Sequence, residues 1–255
     1  NLHTIALTAR ENARTQTVLL PNLPPLPLRF ESQRLPVAGG CVLRVEYSQW
    51  AMPAYDGLMQ ALREHGDCRG VIIDLRGNSG GLIASLSAVG GLFVDKPASL
   101  GTMITTGGDL KLTALPRVVD NDGKDIRRFS GPLAILTDRG SASCSDIFAG
   151  GMQALGRARI FGEPTAGRPF LSREIPIDQG WLFRTASFDF LPHAQPEPLT
   201  NSPNSQPKPK PKSPSQPTGV TPHQRASQDS AEEAAKKWLL QRDPASPKPQ
   251  SARAN

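Results

Sequence analysis

Apolar residues along this chain come in short blocks of two kinds. Val71–Leu75 (VIIDL) and Leu133–Leu136 (LAIL) are continuous apolar runs too short for a helix, the pattern of strands buried on both faces. Val42–Tyr47 is a third strand candidate. Pro53–His65 instead repeats its apolar residues at Leu58 and Leu62, one face of a helix. Further helices are expected near Leu82–Phe93, after the Gly-rich turn Gly77–Gly81, and at Ser145–Leu155 after a polar turn. Arg159–Phe161, Ser172–Ile177 and Trp181–Phe190 read as additional strands. Strand, turn and helix repeating in this order predict an α/β core with a layered sheet.

The two ends differ from this core. Thr4–Thr8 and Thr15–Leu20 read as two strands around the polar turn Arg10–Arg14, and Pro21–Pro27 as a connector. Residues 192–222 hold ten of the 25 prolines, including the alternating Pro207–Lys212 run, so this stretch is a polyproline-like linker unable to bury a core. Ser230–Gln241 then reads as a short helix with Ala231, Ala234, Ala235, Trp238 and Leu239 on one side, docking back on the core. Its acids come early and its Lys236–Lys237 pair late, as the helix dipole favours.

Composition narrows the function classes. At 255 residues and 38% apolar, the chain suffices for one large domain or a core with an accessory piece. No stretch reaches the roughly 18 apolar residues of a membrane span. Asn1 is not an initiator and residues 1–20 lack a secretory-signal pattern, so the chain reads as a fragment or a processed form. From His193 onward nine Lys/Arg face five acids, which places +4 of the +6 formal charge in the tail. Without aromatic interleaving that tail reads as a solvated linker, not a nucleic-acid surface. The three cysteines, Cys41, Cys68 and Cys144, form no CxxC or Cys/His cluster, so neither a metal site nor a cofactor is expected. A Cys41–Cys68 bridge stays open, because spacing alone does not decide it.

Two segments place a tight turn directly after a buried strand. In Asp74–Gly81 (DLRGNSGG) the glycines allow close approach of a substrate backbone and free N–H groups for a developing negative charge. In Thr137–Asp146 (TDRGSASCSD) serines and small residues open a helix, where exposed N–H groups and the dipole favour an oxyanion. Either segment alone also fits an ordinary capped turn.

Their combination is more specific. DLRxNxGG at Asp74–Gly81, SASxS with a following acid at Ser141–Asp146, GRA at Gly156–Ala158 and GEPTxG at Gly162–Gly167 occur in the order of the tail-specific (C-terminal processing) serine peptidases. Gly40–Val45 resembles the strand that opens that family's core. Gly219–His223 resembles its GIxPD close, with His for Asp. The resemblance implies a ClpP/crotonase-like core of stacked β-β-α units over 28–192, the end of a PDZ-like module over 1–27, a linker over 193–222, and a terminal helix and tail over 223–255. It implies a serine peptidase with Ser143 as nucleophile and the N–H groups of Cys144 and of Gly80 or Gly81 as oxyanion donors. Cys144 itself reads as a small packing residue. The implied partner is a polypeptide, bound by its C-terminal region, and the implied location is the periplasm or cell envelope.

One position departs from the family. Its lysine base stands 25 residues past the serine, and here that residue is Arg168. A seryl hydroxyl needs a base to become a good nucleophile, and a guanidinium stays protonated in proteins. Arg168 instead suits bidentate binding of a carboxylate, such as a substrate C-terminus. The family's glutamine four residues further on is Ser172 here. Two readings follow. Either the base comes from elsewhere, with His3, His65, His193 and His223 as the available imidazoles, or the core is a pseudo-peptidase that binds peptides.

Overall fold

The computed structural model describes residues 2–8, 15–21, 27–104, 108–117, 119–120, 122–126, 128–169, 171–176, 182–192 and 219–242. The polar turn Arg10–Arg14, His193, most of the Pro/Lys linker and the tail past residue 242 lie outside these residues. At the N-terminus β1 (Leu2–Thr8) pairs antiparallel with β2 (Thr15–Pro21), as the sequence pattern predicts.

The core is built on a six-stranded sheet. β3 (Phe30–Val37) forms one edge and runs antiparallel to β4 (Gly40–Tyr47). Parallel neighbours β5 (Gly70–Asp74), β8 (Leu133–Thr137) and β9 (Ala158–Gly162) follow, and the two-residue β12 (Gln224–Arg225) closes the other edge. Every residue of β5 and β8 is buried, which explains why both read as unbroken apolar runs. Successive side chains of a strand point to opposite faces, and each face has its own cover. Val71, Ile73, Leu133 and Ile135 join the larger core with α1 (Met52–His65), α2 (Ile83–Gly91) and α3 (Cys144–Ala154). Val42, Ile72, Ala134, Leu136 and Phe161 meet Ala231, Ala235 and Leu239 of α4 (Gln228–Leu240). The terminal helix therefore docks on the core as its apolar stripe predicts. Burying a leucine such as Leu239 contributes about 2 kcal/mol to that docking.

A second, antiparallel sheet in the order β10 (Leu171–Pro176), β11 (Leu182–Pro192), β6 (Ala98–Ile104), β7 (Leu110–Ala114) lies over α2 and α3, with α3 packed on β6 and α2 on β7. Leu100 of β6 and Leu112 of β7 complete the larger core. Strands β3, β6 and β7 escape the sequence reading. β3 is a polar edge strand interrupted by Pro36, and β6 carries Gly101 at a register shift.

Cys41 and Cys68 are joined by a disulfide across 27 residues, tying the start of β4 to the loop before β5. This settles the bridge that the sequence leaves open. The same two sulfurs and Asp67 form the one group of metal-ligating residue types among the described residues, and the disulfide occupies both sulfurs. No described helix is long and apolar enough to cross a membrane. Residues 219–222, which the sequence assigns to the linker, are hydrogen-bonded to the core through Val220 and Thr221.

Candidate active site

Strands β5 and β8 are parallel neighbours with Asp74 opposite Leu136, so the turns that follow them emerge side by side. Buried polar groups stitch the two turns together. Asp138 Oδ1 accepts from the N–H groups of Gly77 (2.9 Å), Gly140 (2.8 Å) and Ser141 (3.0 Å). Ser141 Oγ donates to the Leu75 carbonyl at 2.7 Å. Ser145 Oγ lies 2.9 Å from the Asn78 carbonyl and accepts from Trp50 Nε1 at 2.9 Å. Asn78, itself fully buried, donates its side-chain amide to the Tyr47 carbonyl at 2.8 Å. Two of the three serines in the SASxS run are therefore scaffold.

The middle one, Ser143, is different. It precedes α3 as its N-cap with φ 53° and ψ −114°, and it is the one non-glycine residue with positive φ among the described residues. Such a conformation costs of order 1 kcal/mol or more and persists only where the surroundings impose it. Gly80 lies directly against it. A β-carbon at Gly80 would stand 2.7 Å from Ser143 Cβ and 3.2 Å from its Oγ, so only glycine leaves room for this hydroxyl. Ser143 thus presents its side chain at the opening of a helix, next to a glycine turn.

The N–H groups around it divide into two sets. Gly80 N–H donates to Asn78 Oδ1 at 3.0 Å and is committed to the turn. The Gly80 carbonyl accepts from Trp50 N–H at 3.0 Å, and the Gly81 carbonyl accepts from Cys144 Sγ at 3.3 Å. The N–H groups of Gly81 and Cys144 instead face the Cys144 sulfur. Of the two glycines left open by the sequence, Gly80 has its N–H bound to Asn78. Cys144 is fully buried, and burial pushes its thiol up to about 11, which fits a packing role.

Position 168 comes next to Ser143 through the backbone. The Ser143 N–H donates to the Arg168 carbonyl at 3.1 Å. The loop after β9 is pinned by Ala166 N–H to the Ser141 carbonyl (2.8 Å), and by Gly167 and Arg168 N–H to Asp146 Oδ1 (3.0 Å) and Oδ2 (3.1 Å). Asp146 is 4% exposed; burial raises its pKa, opposed by the Thr165 hydroxyl and these two N–H donors. The Arg168 side chain is exposed.

The two histidines with described side chains, His65 and His223, have their partners elsewhere. His65 ends α1 and lies 3.9 Å from its neighbour Glu64. His223 Nδ1 accepts from the Ile160 N–H at 3.0 Å and lies 3.4 Å from Gln153 Nε2, a bond set at the β9 edge. The side chains of His3 and His193 lie outside the described residues. Sequence reading does not single out Asn78, Trp50 or Thr165. Asn78 and Thr165 do stand inside the quoted motifs, but their roles depend on partners 31 and 55 residues away.

Fold and site together define a layered α/β protein with a serine on a strained strand-to-helix turn. The model of peptidase family S41 matches residues 42–202, and the chain belongs to that family. It is 28% identical over 176 residues to the carboxy-terminal processing protease CtpB of Bacillus subtilis, covering 66% of this chain and 33% of that protein. It is 25% identical over 182 residues to the chloroplastic carboxyl-terminal-processing peptidase 2 of Arabidopsis thaliana, covering 69% and 34%. The chain thus spans about a third of the length of these relatives. Among solved structures, the photosystem II D1 C-terminal processing protease superposes with a TM-score of 0.55 at 20% identity, covering 89% of this chain and 56% of that one. A lipoprotein from Streptococcus agalactiae gives 0.59 at 17% identity, covering 84% and 70%. At these identities the structures speak for the fold alone.

Proposed function

We propose that this chain is the catalytic core of a serine endopeptidase that cleaves polypeptides by acyl-enzyme chemistry at Ser143. The observation that carries this reading is the imposed left-handed backbone of Ser143 against Gly80 at the start of α3. In this arrangement Oγ attacks the scissile carbonyl, and the Gly81 and Cys144 N–H groups receive the oxyanion. The Oγ proton ends on the amine as the C–N bond breaks, and water then cleaves the acyl ester, giving one proton back to Oγ and its hydroxyl to the released acid. Arg168 takes no proton in this sequence. Its guanidinium instead binds the carboxylate at the substrate's C-terminus, which directs cleavage to that region. The Cys41–Cys68 disulfide supports an oxidising compartment, the periplasm or cell envelope.

Arg168 also favours a second reading, a pseudo-peptidase that holds C-terminal peptides without turning them over. Labelling with a fluorophosphonate probe, with Ser143→Ala as control, separates the two. Covalent modification of the native chain alone supports the hydrolase. Absence of labelling across pH 5–10 leaves the binding reading.

A further inference from the structure

The family match ends at residue 202, yet a segment beyond it reaches the loop that holds Arg168. Thr165 is fully buried. Its N–H donates to the Val220 carbonyl at 3.2 Å, and its Oγ1 accepts from the Val220 N–H at 2.7 Å. The hydroxyl proton goes to Asp146, which also holds the Gly167 and Arg168 N–H groups. Arg168 in turn receives the Ser143 N–H. A continuous run of hydrogen bonds thus leads from Val220 through Thr165, Asp146 and Arg168 to Ser143.

The strap 219–223 is itself fixed at several points. Gly219 lies so close to the loop that a β-carbon there would stand 2.1 Å from the Thr165 carbonyl oxygen. Val220 Cγ2 lies 3.2 Å from where a β-carbon at Gly150 of α3 would sit. The Thr221 carbonyl accepts from Gln153 Nε2 at 2.9 Å, and His223 holds the β9 edge at Ile160. A threonine hydroxyl suits the junction, because it accepts from the strap and donates to Asp146 at the same time.

We propose that Thr165 and Val220 are positioning residues for the Ser143 site, and that the strap 219–223 sets the distance between the Arg168 loop and Ser143. The proposal rests on Ser143 being the functional centre, and its test has one arm that does not.

Thr165→Val keeps the shape and removes the hydroxyl; Thr165→Ser restores it. Hydrogen exchange at the Gly167 and Arg168 amides, read by NMR, is expected to rise about tenfold in Thr165→Val and to return with Thr165→Ser. Amides of β5 and β8 are expected to stay at native rates. Gly219→Ala, which drives a β-carbon of the strap against the Thr165 carbonyl, should move the same two amides in the same direction. Unchanged exchange at those amides overturns the proposal, and so does a uniform rise across β5 and β8, the mark of general loosening. If the native chain labels with the fluorophosphonate, Thr165→Val should also slow labelling about tenfold, with rescue by serine. Equal labelling rates overturn the proposal while leaving the peptidase reading intact. If the native chain does not label, the peptidase reading fails and the exchange result decides this one.

Discussion

The Ser143 N–H donates to the Arg168 carbonyl at 3.1 Å, which brings together two residues 25 positions apart in the chain. The position expected to supply the base is thus held beside the proposed nucleophile, but it carries a side chain unable to act as a base. The predictions below follow from that pairing and from the groups around it.

Replacing Arg168 by Lys exchanges a guanidinium that keeps its proton for an amine that can lose it and then take the Ser143 proton. Proteolysis of an unstructured polypeptide by Arg168→Lys is expected to exceed that of the native chain by at least about 10²-fold. A peptide-release assay at pH 8 measures it. No gain would mean that the native chain draws its base from another residue or lacks more than the base.

Ser143→Gly removes the side chain that makes φ 53° unfavourable. Stability should rise by about 1 kcal/mol, a gain of roughly 2–4 °C in Tm, while covalent labelling disappears. Calorimetry of the two proteins checks the sign. Gly80→Ala is the converse case, because its β-carbon meets Ser143 Cβ at 2.7 Å. That variant should lose both stability and labelling.

The Cys41–Cys68 bridge closes a loop of 27 residues. In the chain-entropy account its removal costs about 3.5 kcal/mol. Cys41→Ser with Cys68→Ser should therefore unfold roughly 10 °C below the native chain. Dithiothreitol should reproduce the shift in the native chain and leave the double variant unaffected.

Burial, with Arg159 nearby, holds the His223 pKa below its ordinary value. A depressed pKa means that the unfolded chain binds the proton more readily. The stabilisation is therefore complete above about pH 6.5 and is lost as pH falls through the folded pKa. Protonation also removes a bond of the fold, since Nδ1 then stops accepting from the Ile160 N–H. Urea midpoints between pH 7.5 and 5 should fall less in His223→Gln than in the native chain. Equal slopes would assign the acid sensitivity to other groups.

Most of the central elements are legible in the chain itself. Val71–Leu75 and Leu133–Leu136 read as buried strands because a strand covered on both faces favours an unbroken apolar run, and β5 and β8 are such runs up to their last residues, Asp74 and Thr137. α1, α3 and α4 follow from spacing. Edge and second-sheet strands β3, β6 and β7 are hidden because their partial exposure tolerates polar residues, glycine and proline. Ser143 was legible only through the order of several motifs, since a lone serine before a helix is an ordinary cap.

The sequence by itself determined the layered α/β class, the family and the absence of a lysine at residue 168, and it marked Ser143 as the candidate nucleophile. Those properties follow from residue type and order. The tertiary structure decided where the Gly80 N–H beside Ser143 goes, because Asn78 captures it. It also decided that Cys41 meets Cys68, and that Val220 reaches Thr165 across 55 residues of chain. Hydrogen-bond partners that distant are set by how the strands and loops pack, and no local pattern of residues encodes them.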